Sequence, residues 1–302
     1  MTAHTRRDFL ADVGRGMLVA GVGYAAAVDL GLTPAWAGET AGDTLDFGAR
    51  EPLVRLMQDT PADQLFSALA EQMRSGATLK DLVAAAALAN ARTFGGQDYV
   101  GFHTLMALSP AWHMSRELPR DRRPLPVFKV LYRNTNRIQA HGGRKSEVLH
   151  DIDADELGLG SPDGQDLLEA VRQKNMRRAE ELFAHIADGS SPEESFNELL
   201  IAVQNESEVH RVVLPYRAWD LLDIVGREHA HTLLRQSVRY CVEEESPEYS
   251  ERSKGGRDVL PGLLDEFKLL SREAGTRRME DGWIEEMSRT IFNSPPKQSA
   301  EA

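Results

Sequence analysis

Eight histidines follow residue 37 of this 302-residue chain: His103, His113, His141, His150, His185, His210, His229 and His231. An imidazole titrates near neutrality and binds transition metals through a neutral ring nitrogen, so these are the positions for proton-transfer or metal chemistry. The densest grouping is His210-Arg211-Val212-Val213-Leu214-Pro215-Tyr216-Arg217-Ala218-Trp219-Asp220. It gathers a histidine, arginines, aromatic rings and an acid around an expected helix start at Pro215. A companion stretch, Gly95-Gly96-Gln97-Asp98-Tyr99-Val100-Gly101-Phe102-His103, opens with glycines that permit close backbone approach and ends on a histidine beside an aromatic ring. His103, His210, Tyr216 and Arg217 are therefore the candidate catalytic groups. His103, His113, His210, Asp220, His229 and His231 are the candidate ligands for a transition metal such as iron, copper or zinc.

Spacing sorts these candidates. His229 and His231 are turned about 200° from each other on a helix, so they cannot chelate one ion there. His103 and His113 lie about 15 Å apart along a straight helix. They converge only if Ser109-Pro110 breaks it. The pairs Glu147/His150 and Glu228/His231 resemble the Glu-x-x-His pairs of helical carboxylate-bridged di-iron proteins. Glutamate is so common here that such pairs arise by chance, and Glu147/His150 sits between Gly142-Gly143 and Asp151, a poor place for a long bundle helix. The sequence has no Walker loop, dinucleotide fingerprint, nucleophile elbow or haem-attachment motif. Cys241, the single cysteine, reads as a packed helix residue rather than a nucleophile.

At the N-terminus, Thr5-Arg6-Arg7-Asp8-Phe9-Leu10 precedes a weakly apolar, glycine-rich stretch from Met17 to Val28, and Ala35-Trp36-Ala37 follows. This resembles a twin-arginine export signal: a hydroxyl residue, two arginines, any residue, phenylalanine and leucine are all present, and only the frequent next lysine is replaced, by Ala11. The apolar run is interrupted by Gly21 and Gly23 and ends at Asp29, short for a span of about 20 residues. The resemblance implies cleavage after Ala37, the twin-arginine export machinery as a partner, and a periplasmic or extracellular protein with no stable membrane span. Substrates of that route fold before export, often around a cofactor.

Acidic residues outnumber basic ones 47 to 35, for a net charge of -12. That balance argues against nucleic acid, or an anionic membrane, as the main partner, because both need a net or clustered positive surface. It leaves the ligand or protein partner unspecified. With 41% hydrophobic residues the chain can bury a substantial core.

The elements that would position these side chains read as helices. Thr60-Pro61-Ala62-Asp63, Ser161-Pro162, Ser191-Pro192-Glu193-Glu194 and Ser246-Pro247-Glu248 each combine a capping hydroxyl with proline at the first helical position. Leu79, Leu82, Val83 and Ala86 recur with helical period, as do Phe196, Leu199, Leu200 and Val203. No run alternates as a strand would. The fold class is all-α, a multi-helix globular array. The two stripes are 117 residues apart, an offset that also matches Tyr99 to Tyr216 and sets His103 opposite Asp220, leaving two related helical units open. Residues 1–37 form the signal, 38–59 a linker, 60–243 a helical domain, 244–257 a charged mobile linker and 258–302 a C-terminal helical segment. That segment looks incomplete, since Ser294-Pro295-Pro296 reads as a helix start with no helix after it. Glu117 to Pro126 is a proline-rich connector, and its run Arg120-Asp121-Arg122-Arg123 reads as solvated charge.

Phe102-His103-Thr104-Leu105-Met106-Ala107-Leu108 and the His210 region place histidines at the start of apolar helices. In this the chain is similar to the questin-oxidase-like group of cofactor-poor oxygenases, over roughly half its length. The resemblance transfers no catalytic residue. Two functions remain open from sequence: an exported metal-dependent or histidine-based oxidoreductase, and a non-catalytic helical binding or scaffold protein of the cell envelope.

Overall fold

Ser191 accepts a hydrogen bond from the Glu194 backbone N–H, and the Glu194 carboxylate accepts one from the Ser191 N–H, closing a reciprocal cap on a helix that Pro192 begins. Thr78 and Asp81 repeat the device. Helices make up most of the described part of the molecule. A computed structural model of the chain describes residues 44–152, 160–206, 208–273, 275–276 and 278–302. The proposed export signal lies outside the described residues.

In chain order the helices are α1 Glu51–Asp59, α2 Leu65–Arg74, α3 Leu79–Phe94, α4 Tyr99–Glu117, α5 Pro124–His141, α6 Gly164–Arg172, α7 Met176–Gly189, α8 Pro192–Val203, α9 Val209–Val225, α10 Ala230–Glu243, α11 Pro247–Glu266, α12 Asp281–Asn293 and α13 Pro296–Glu301. Among the described residues there is no strand, only an isolated antiparallel bridge between Thr44 and His150. The all-α array expected from the periodicity is therefore the observed fold. No described helix is long and apolar enough to cross a membrane.

The centre is α3. Every residue from Leu82 to Phe94 is buried, which requires a helix surrounded on all sides. The helices α1, α4, α5, α9 and α10 all pack on it, while α6, α7 and α8 pack together and meet α10. Charges buried in this core are paired, as desolvation demands. Arg92 holds Glu51 at 2.9 Å and Glu147 at 3.1 Å. Arg211 meets Glu245 at 2.8 Å and Glu206 at 3.3 Å. Arg235 and Arg239 share Glu180 at 2.7 and 2.6 Å. Burial alone would raise the Glu180 pKa, but the two guanidiniums outweigh it and hold the carboxyl below the usual range.

Several local expectations are corrected. Helix α1 occupies part of the stretch expected as a linker, because Val54 and Met57 are buried against the core and Glu51 pairs with Arg92. Thr60-Pro61 leads into a turn, and α2 starts only at Leu65. Asp163, not Ser161, caps α6 through its own reciprocal box with Asp166. Much of the charged 244–257 stretch is helix, since α11 begins at Pro247. Helix α13 follows Ser294-Pro295 after all. Pro110 and Pro215 lie inside α4 and α9 rather than breaking or opening them. Both helices pack on α3, and that packing compensates the backbone bond each proline removes. The 117-residue offset does not hold without gaps: it sets α3 against α8, yet α8 ends at Val203, and Gly95 to Asp98 fall opposite residues inside α9.

Candidate functional site

Two helix starts build the site. At the first, the N-cap Asp98 accepts from the Gly101 N–H at 2.6 Å and is clasped by Arg137 of α5, with Nε at 2.9 Å from its Oδ1. Burial pushes the Asp98 carboxyl up, but Arg137 and the Gly101 N–H outweigh it and hold the group low. At the second, the N-cap is Glu208, whose Oε2 accepts from the Arg211 N–H at 2.8 Å. The glycines before α4 set its approach to α10. Gly96 has φ of +82°, and a Cβ there would lie 2.3 Å from the Gln236 carbonyl oxygen, so only glycine fits.

Glu208 has a second task. Its Oε1 lies 2.7 Å from His210 Nδ1, and its Oε2 accepts from the Tyr240 hydroxyl at 3.1 Å. Burial alone would raise the Glu208 pKa, but the backbone N–H groups of Arg211 and His210 and the His210 ring lower it, so the group is an ionised acceptor. His103 Nδ1 lies 2.6 Å from the Tyr99 carbonyl oxygen. A carbonyl and a carboxylate can only accept, so Nδ1 carries the proton in both rings and each Nε2 of a neutral imidazole keeps its lone pair. Neither Nε2 has a hydrogen-bond partner among the described residues. The two rings meet edge to face, with centroids 4.9 Å apart. Phe102 packs 4.7 Å from His103 and 5.2 Å from His210, with Tyr240 beyond it at 5.2 Å. Tyr99 covers His103 at 4.4 Å.

Farther along the same seam, Ser109 donates to Asp220, and His113 Nε2 lies 4.0 Å from the same carboxylate. Early residues of α4 thus meet early residues of α9, and later ones meet later ones: the helices run parallel. Arg217 reaches Asp220 at 3.3 Å and covers the exposed Tyr216 ring at 5.1 Å. These two lie about two turns beyond His210 along α9.

No family model matches the chain, and no curated protein or solved structure is significantly similar to it. The site must therefore be understood from its own geometry.

Of the residues singled out in sequence, the fold brings His103 and His210 together and disperses the rest. Asp220 faces Ser109 and His113 rather than His103. His103 and His113 do not converge: α4 continues through Pro110, and the two rings meet His210 and Asp220 respectively. His229 lies against Phe47 and 3.2 Å from Arg50 Nη1. His231 lies in the first turn of α10 against Phe183, its Nε2 buried and without a partner, and burial lowers its pKa to about 4. Glu147 is taken by Arg92 and Glu228 by Arg50, so neither Glu-x-x-His pair forms the bridging arrangement of di-iron bundles. Among the described residues, no three histidine, cysteine, aspartate or glutamate side chains stand close enough to hold a metal ion. Cys241 is fully buried, and desolvation pushes its thiol up to about 11, as befits a packing residue.

Sequence reasoning missed Glu208 and Tyr240. Glutamate is a rare N-cap, since serine, threonine, aspartate and asparagine fit better. A glutamate two residues before a histidine at a helix start was the available signal. Tyr240 lies more than thirty residues from Glu208, so no local pattern links them.

Proposed function

We propose that this protein is an exported enzyme whose working groups are His210 and His103, acting by proton transfer through their Nε2 atoms. The observation that carries this reading is the 2.7 Å contact between Glu208 and His210 Nδ1, with the His103 ring beside it. An ionised carboxylate behind an imidazole fixes its tautomer, orients its free nitrogen and stabilises the imidazolium that forms when it takes a proton. Tyr240 restrains the carboxylate in turn. His103, fixed by a backbone carbonyl, supplies a second proton acceptor in edge-to-face contact with the first. The twin-arginine-like N-terminus supports a place of action outside the cytoplasm, and the questin-oxidase-like resemblance is compatible with histidine chemistry that needs no tightly built metal centre.

Proton-transfer competence is testable without knowing the natural substrate. p-Nitrophenyl acetate reports a basic or nucleophilic imidazole. The purified protein should release nitrophenolate faster than the same concentration of free imidazole, and His210→Ala and Glu208→Gln should each reduce that rate by one to two orders of magnitude, the lower part of the range for acid–base groups. A rate unchanged in His210→Ala would refute the enzyme reading and favour the non-catalytic envelope protein.

A further inference from the structure

Net charge hides how the fold sorts the charges. Between Arg116 and Arg133 there are six cations, Arg116, Arg120, Arg122, Arg123, Lys129 and Arg133, against the two acids Glu117 and Asp121, in a chain of net charge -12. All six cations are exposed. None forms an ion pair among the described residues, whereas the buried arginines all do. The single side-chain hydrogen bond seen for this group joins Arg123 Nε to the Leu118 carbonyl at 3.3 Å, which leaves its charge unmatched.

Apolar side chains stand among these cations. Leu125, Lys129, Tyr132 and Arg133 fall within about 100° of one another on α5, as i, i+4, i+7 and i+8 positions must. Leu125 is 63% exposed and Tyr132 40%. Phe66 of α2, 47% exposed, stacks 6.0 Å from Phe128 and lies 5.4 Å from Tyr132, extending the apolar ledge. The turn carrying Arg120, Arg122 and Arg123 leads straight into Leu125.

We infer that this face, the α4–α5 turn with the outer side of α5, docks on an anionic phospholipid bilayer. Charge complementarity selects an anionic partner. Exposed leucine, phenylalanine and tyrosine among the cations select a lipid surface over a soluble polyanion, because they gain only where there is an apolar layer to enter. Each cation near an anionic leaflet contributes separately, and aromatic rings settle at the headgroup level. The inference stands apart from the histidine site, which lies on the α4–α9 seam.

The test places an environment-sensitive dye at Leu125→Cys; Cys241 is sealed in the core and will not compete for label. Vesicles of phosphatidylcholine with about one-third phosphatidylglycerol should blue-shift the dye, and pure phosphatidylcholine vesicles should not. The same dye at Gln173→Cys, exposed on the α6–α7 turn, should not shift. Adding R120Q/R122Q/R123Q to Leu125→Cys should weaken vesicle binding roughly a hundred-fold, from three lost cations. No shift at position 125, or a triple variant that binds as the parent does, would overturn the inference. So would tight binding to soluble polyphosphate with no dye shift on vesicles, which would assign the face to a soluble polyanion.

Discussion

Acidification should destabilise this protein through His231 before most carboxylates protonate. The ring lies against Phe183, near Arg235, with its Nε2 sealed from solvent and unpartnered. Burial first, and the Arg235 charge second, lower its pKa from 6.5 to about 4. In the unfolded chain the ring takes its proton as pH falls through 6.5, while the folded protein refuses it until about 4. The unfolded state therefore binds more protons in that window, and stability falls as pH falls. Stability from this group is complete above pH 6.5 and declines toward its minimum below 4. At pH 4.5, two units below the unfolded pKa and still above the folded one, the loss is about 2.5 kcal/mol at 1.36 kcal/mol per unit. Other groups also titrate, so the measurement is a difference. Urea unfolding of the wild type and His231→Phe from pH 8 to 4.5 should give profiles of different slope, the wild type losing about 2.5 kcal/mol more than the variant. Parallel pH profiles would show that His231 carries no such linkage.

Arg92→Met keeps most of the side-chain volume but leaves Glu147 buried without its cation and Glu51 with only the half-exposed Arg55, and should cost roughly 3 kcal/mol in urea unfolding. A loss below about 1 kcal/mol would mean those carboxylates find water or another partner. Replacing Arg6 and Arg7 with lysine should retain the protein in the cytoplasm, read by cell fractionation; normal export of the double variant would remove the proposed localisation.

What the sequence determined by itself is local. Leu79, Leu82, Val83 and Ala86 recur at helical spacing, and Ser191-Pro192-Glu193-Glu194 writes a complete cap into four consecutive residues, so the all-α class and the starts of α3 and α8 were legible. Gly95-Gly96 announced a close backbone approach that Gln236 then makes. The neighbourhoods of His103 and His210 stood out because histidine, aromatic and glycine residues cluster there. Their pairing did not, since it depends on how far α4 is shifted along α9, and helical period carries no information about that shift. A sequence offset put His103 on Asp220; the packing of both helices on α3 put it on His210 instead. Only the tertiary structure decided that Pro110 and Pro215 would be held inside helices, because the cost of a missing N–H is local while the burial that compensates it comes from α3. Glu208, Tyr240 and the ion-paired Arg92 and Arg211 were likewise invisible as partners, because a charge is buried or solvated according to what distant segments bring to it.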